Sequence, residues 1–223
     1  MFKKALNKKT KFIIDFGFEQ YCAKDEELCS NAYNSFYDDN GNFIMILSDD
    51  IGTDERAAIE SKMAVDLIKQ YAKQGTDYNL PLKILNSSLL EKSFYESLAT
   101  VDIANIDLST GSTTLYKSGA APSILRQNGK VKKVESTSLP AGILNDISFD
   151  TTTVKCKLGD VVVLMSDGAT SGGCDWIKDE ITSFRDGKAQ DLAVRLCTRA
   201  YQQENENREN DITILCAILK EVV

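Results

Sequence analysis

Short apolar runs separated by turn residues alternate along this chain with two stretches of helical spacing. Residues 12–18 (Phe-Ile-Ile-Asp-Phe-Gly-Phe) read as a first strand, and the Asp38-Asp39-Asn40-Gly41 turn joins Asn34–Tyr37 to a strand ending at Leu47. After Gly52, with Thr53 as a plausible N-cap, Ala57, Ala58, Ser61, Ala64, Val65 and Ile68 recur at helix spacing until Gly75. A second helix begins near Pro81 and carries Ile84, Leu85, Leu89 and Leu90. From Leu98 the period becomes that of strands: 100–106, 112–117, 123–126, 131–134, about 148–156 and 160–166. Asn128-Gly129 is the strongest hairpin signal. Helices around Trp176–Phe184 and Ala189–Tyr201 precede a closing strand from Ile212. Hairpin strands interrupted by two helix pairs predict an α+β layered sandwich of mainly antiparallel sheets, not a parallel doubly wound sheet.

Length and composition fit that picture. The 223 residues suit one domain, and 43 % hydrophobic with 26 % charged residues is ordinary for a globular chain. A net charge of −7, with no basic patch, argues against nucleic acid as a partner. No stretch is long enough for a membrane span, and the lysine-rich start lacks a signal-peptide core, so residues 1–10 are expected to be a basic tail and 11–223 the domain. A membrane link would need an N-terminal segment outside this chain. The six cysteines show no Cys-x-x-Cys spacing and are expected to be reduced residues of a cytoplasmic protein. The absence of histidine excludes histidine triads, histidine bases and histidine metal ligands.

The candidate chemistry lies in three aspartates at strand ends. Asp49 follows the run Phe43–Ser48, Asp167 follows Val161–Ser166, and Asp211 opens the run from Ile212. Pairing those strands side by side brings the carboxylates to one sheet edge, where a hard divalent cation is the usual remedy for their repulsion. Oxygen ligands on short loops suit Mg²⁺ or Mn²⁺.

The segment Ser48-Asp49-Asp50-Ile51-Gly52 through Glu60-Ser61 resembles the Ser-Asp-Gly-Met-Gly-x-Gly-x-x-Ala-x-x-Glu-Ser motif of bacterial metal-dependent serine/threonine phosphatases. The subgroup is that of stage II sporulation protein E, within the protein phosphatase 2C (PPM) family. The likeness continues in order through Ala99–Ile103, Lys117–Ser123, Ser138–Ile143, Gly159–Gly168 and Asn210–Thr213, nearly the whole chain from about Lys11. The resemblance implies an α-β-β-α sandwich and a hydrolase using two Mn²⁺ or Mg²⁺ ions. Asp49 matches the bridging ligand, Asp167 and Asp211 match ligands of one ion, and the carbonyl of Asp50 matches a contact of the other. It further implies a phosphorylated protein substrate, such as an anti-sigma factor antagonist.

Two positions depart from the pattern. Eighteen residues before Asp49, where the family carries the aspartate of Gly-Asp-x-Tyr, stands Asn31, and Asp50 replaces a glycine. An amide oxygen still ligates but brings no charge. Either Asp50 restores that charge, or the chain is an impaired pseudophosphatase that binds phosphoproteins as a scaffold. Arg56 is a candidate for substrate phosphate, although an ion pair with Glu60 one helical turn away is the favoured role. Asp102 falls mid-strand, where a solvated face is favoured over tethering a metal-bound water. Gly119, Ala120 and Pro122 read as a close-packed turn, and Trp176 as a residue between helix and sheet.

Overall fold

The computed structural model describes residues 10–24, 26, 28–49, 55–73, 77–91, 98–203 and 210–222. The expectations for Asp50, Thr53, Gly75 and most of the N-terminal tail therefore lie outside the described residues. The strands are β1 (Phe12–Tyr21), β2 (Ala32–Tyr37), β3 (Asn42–Ser48), β4 (Val101–Asp107), β5 (Ser112–Ser118), β6 (Ser123–Gln127), β7 (Lys130–Val134), β8 (Asp150–Lys155), β9 (Val161–Met165) and β10 (Ile212–Glu221). The helices are α1 (Glu55–Ala72), α2 (Asn79–Glu91), α3 (Asp175–Ser183) and α4 (Ala189–Gln203), with a 3₁₀ turn at Asp167–Thr170. Two five-stranded sheets form, in the orders β1-β10-β9-β6-β7 and β2-β3-β4-β5-β8, and the paired strands are antiparallel.

Both faces of β3, β9 and β10 are buried along most of their length, which is why these strands read as apolar runs. On β3, Ile44 and Ile46 pack towards α1 and α2, whereas Phe43, Met45 and Leu47 face the other sheet. On β9, Val161, Val163 and Met165 meet α3 and α4, and Val162 and Leu164 point inward. On β10 the same alternation divides Ile212, Ile214, Cys216 and Ile218 from Leu215, Ala217 and Leu219. The layers are thus helix, sheet, sheet, helix. Asn128 and Gly129 take φ of 50° and 78° in the β6–β7 turn, the left-handed pair of a two-residue hairpin. Among the described residues no helix is long and apolar enough to cross a membrane.

The layer between the sheets ends in a polar row. Leu47, Ala104, Leu115, Leu125, Leu164 and Leu215 belong to its apolar core. Two residues along each strand, on the same face, stand Asp49, Asp102, Lys117, Ser123, Ser166 and Thr213. Six strands therefore deliver polar side chains to one end of the sandwich, on a rigid apolar floor.

That floor carries a test. Leu164, fully buried in the interlayer core, should cost about 2–5 kcal/mol when truncated to alanine, read as a lower urea midpoint with an unchanged slope.

Candidate metal centre

Asp49 leaves β3 and is fixed by its neighbour strand. Its N–H donates to Thr100 Oγ1 at 3.0 Å, its carbonyl accepts from Thr100 N–H at 2.9 Å, and Ser48 Oγ donates to Thr100 O at 2.7 Å. Asp167 follows β9, and its N–H lies 3.5 Å from Asp49 Oδ2. These two carboxylates share a small cleft with Thr100, Asp102, Ser166 and the Gly119–Ala121 turn, a cavity of about 50 Å³. Burial, then the Asp167 carboxylate, and more weakly that of Asp211, push the Asp49 carboxyl well above the usual carboxylate range. The arrangement therefore penalises a negative charge on Asp49.

Asp211 reaches the same end of the sandwich but is employed differently. Oδ1 accepts from Ala23 N–H at 2.6 Å; Oδ2 accepts from Ser30 N–H, from Ser30 Oγ at 2.6 Å and from Asn31 N–H at 3.3 Å. The carboxylate thereby ties the loop between β1 and β2 to the start of β10. Its backbone lies against the Asp167 loop: Ser166 Oγ donates to Asp211 O at 3.1 Å, and a Cβ on Gly168 would come within 2.3 Å of that oxygen. Only glycine permits the two segments to pass so closely.

Asn31 is 5 % exposed, and its Nδ2 donates to Thr213 Oγ1 at 3.2 Å, while its Oδ1 is buried without a hydrogen-bond partner. It lines a neighbouring groove with Cys29, Ala32, Ala58, Ile59 and Lys62, not the cleft shared by Asp49 and Asp167. The structure brings Asp49 and Asp167 to one cleft, with the Asp211 carboxylate near enough to act on Asp49; Asn31 touches Asp211 through its N–H but lines the neighbouring groove. Asp50 lies outside the described residues. Arg56 Nε meets Glu60 Oε1 at 3.3 Å, the ion pair its helical spacing favours.

Two expectations are corrected. Cys22 and Cys29 form a disulfide, contrary to the reading of all six cysteines as reduced. The loop between β1 and β2 doubles back and brings their Cα atoms to 4.6 Å, which the spacing alone does not reveal. Cys156, Cys197 and Cys216 form no disulfide and are buried, as expected. Asp102 is not on a solvated face: it is 1 % exposed and paired with Lys117, equally buried. The signal was available. Asp102 and Lys117 each lie five residues from the ends of the Asp107–Ser112 turn, so the β4–β5 register sets them opposite one another.

The donor set fits a hard divalent ion. It consists of oxygens, and Asp49 and Asp167 repel one another. Neither has a cationic partner among the described ion pairs.

The sequence model of stage II sporulation protein E matches residues 39–220. The stage II sporulation protein E of Priestia megaterium is 26 % identical over 215 residues, 94 % of this chain and 37 % of that protein. The Bacillus subtilis (strain 168) protein is 28 % identical over 175 residues, 76 % of this chain and 21 % of that protein. The chain therefore spans well under half the length of these relatives. Among solved structures, the PP2C phosphatase domain of the B. subtilis protein, with a fragment of its regulatory domain, superposes with a TM-score of 0.85 at 23 % identity, covering 96 % of this chain and 66 % of that one. RsbX in complex with magnesium superposes with a TM-score of 0.72 at 17 % identity, covering 95 % and 100 %. The fold is that of the PP2C-type phosphatases.

Two consequences are measurable. Gly168→Ala should destabilise the fold by about 1–3 kcal/mol, because the added carbon meets backbone rather than a movable side chain; chemical denaturation reads the loss. Reducing the Cys22–Cys29 bond should cost about 2–3 kcal/mol, the loop-closure contribution of so short a ring. A Cys22→Ser/Cys29→Ser variant should match the reduced wild type and be insensitive to dithiothreitol.

Proposed function

The chain belongs to the stage II sporulation protein E family, and from that premise we propose that it is a metal-dependent phosphatase acting on phosphoserine or phosphothreonine in proteins. The observation that carries the proposal is the pair Asp49 and Asp167, uncompensated carboxylates facing one cleft. These two would hold an Mn²⁺ or Mg²⁺ ion. Asp211 Oδ1, which accepts one protein hydrogen bond, is the remaining acceptor near them. A bound divalent ion would lower the pKa of a water and offset the charge of the phosphate.

The chain's own residues supply position. Thr100 and Ser48 fix the backbone of Asp49 from two sides. Ser166 fixes the strand end that carries Asp167 and, through Asp211 O, the start of β10. No protein nucleophile is needed, consistent with a chain without histidine. The magnesium complex of RsbX, a protein of the same fold, supports an ion of this class. A second ion would have to use Asn31, whose buried amide oxygen is unpartnered, and Asp50. By analogy with the family, the substrate is a small phosphorylated regulatory protein such as an anti-sigma factor antagonist, and the setting is cytoplasmic signalling.

A second reading rests on the same residues. Asn31 brings no charge, and Asp211 already serves four protein donors, which suits a domain that binds phosphoproteins without hydrolysing them. Hydrolysis of p-nitrophenyl phosphate decides between the two. The phosphatase predicts Mn²⁺-dependent turnover that falls by about 10³-fold or more in Asp49→Asn and Asp167→Asn. Turnover absent from a folded wild type at millimolar Mn²⁺ or Mg²⁺ would select the binding domain.

A further inference from the structure

One buried ion pair at the cleft has no part in that proposal. Lys117 Nζ lies 2.5 Å from Asp102 Oδ2 and 2.6 Å from Ser123 Oγ, which itself donates to Asp102 Oδ2 at 2.8 Å. All three residues are buried, Lys117 and Asp102 to 1 % exposure and Ser123 completely. The other carboxylate oxygen, Asp102 Oδ1, is equally buried and accepts no hydrogen bond. Asp102 lines the cleft together with Asp49 and Asp167.

Stability does not explain this group. Removing a carboxylate and an ammonium from water costs several kcal/mol for each ion, and apolar residues of similar volume commonly serve at least as well. An acceptor left empty beside the pair adds a further cost of about 1–3 kcal/mol. Every other side chain one step inward is leucine or alanine at the matching positions of β3, β4, β5, β6, β9 and β10. An apolar solution was therefore within reach of the same backbone.

The charge state identifies what the free oxygen takes. Lys117 already neutralises Asp102, so Oδ1 offers a hydrogen-bond acceptor and not an additional anion. A second divalent ion placed on Oδ1 would meet the Lys117 ammonium a few ångströms away, whereas a neutral O–H donor would not. Lys117 and Ser123 both grip Oδ2, which locks the plane of the carboxylate and leaves Oδ1 aimed in one direction. The cleft holds about 50 Å³, room for small solvent species only.

Resting on the phosphatase reading above, we propose that Asp102 is a positioning residue: Oδ1 accepts a hydrogen bond from the water that attacks phosphorus, and Lys117 with Ser123 sets its direction. With one proton held, the water's lone pair faces the phosphorus: the new P–O bond forms as the bond to the serine or threonine oxygen breaks on the opposite side, and the proton that the water releases passes through solvent to the departing oxygen. Asp102 takes no proton in this scheme; it orients.

Three variants test the assignment: Asp102→Asn, Lys117→Met, and Asp102→Leu combined with Lys117→Met. Asp102→Asn should lower kcat for p-nitrophenyl phosphate about 10- to 100-fold while Mn²⁺ affinity, by calorimetry, stays within about threefold and KM within about twofold. Lys117→Met alone should lower the melting temperature, and the double apolar variant should regain it without regaining kcat. A kcat within about threefold of wild type in Asp102→Asn overturns the inference. A loss of Mn²⁺ affinity of about tenfold or more also overturns it, because Asp102 would then be a ligand. If the wild type proves inactive, the phosphatase reading fails, and a structure with Mn²⁺ still decides the local claim. An ordered water about 2.7 Å from Asp102 Oδ1 upholds the orienting acceptor; an ion on that oxygen, or no water, refutes it.

Discussion

The close packing of the two sheets is the constraint on which the rest depends. Six strands contribute aliphatic residues to one interlayer, from Leu47 on β3 to Leu215 on β10. Such a layer is packed as densely as an organic crystal, so a strand cannot slip by one residue without exchanging its two buried faces. The register of the apolar floor therefore dictates which residues stand one step above it. Those residues are Asp49, Asp102, Lys117, Ser123, Ser166 and Thr213. The positioning of the site is a by-product of a core that would be required for stability in any case.

How each carboxylate at that end is compensated divides structure from chemistry. Asp211 is surrounded by three backbone N–H groups and the Ser30 hydroxyl. Asp102 has Lys117 and Ser123. Asp49 and Asp167 have each other, which raises the pKa of Asp49 in addition to its burial. Among the described residues, two of these four carboxylates thus have their charge offset by the chain, and two do not. A cation from solution is the natural complement of the second pair. The glycine at 168 adds a mechanical link, since the Asp167 loop and the Asp211 backbone touch where no side chain fits.

The sequence revealed most of the fold because the elements have unmistakable periods. Both faces of β3, β9 and β10 are buried, and each reads as an apolar run with an aspartate at one end, after β3 and β9 and before β10. Asn128-Gly129 announced its turn through the left-handed conformation that both residues tolerate. What was missed depended on cross-strand register or on the path of a loop. Asp102 resembled a solvated strand aspartate until Lys117 was set opposite it. The Cys22–Cys29 bond depends on how the loop after β1 returns, a path held by Asp211, far along the chain. The anchoring role of Asp211 was likewise hidden, since an aspartate before a strand carries no mark of which groups it will accept.

The account rests on Asp49 and Asp167 being left without a protein counter-charge so that a divalent ion can supply one. Carbon-detected NMR titration of the Asp49 carboxyl, with and without saturating Mg²⁺, tests this directly. The metal-free protein should show Asp49 titrating well above the usual carboxylate range, and Mg²⁺ should bring that transition below it. An Asp49 carboxyl that titrates as an ordinary aspartate, or one that Mg²⁺ leaves unmoved, would contradict the account.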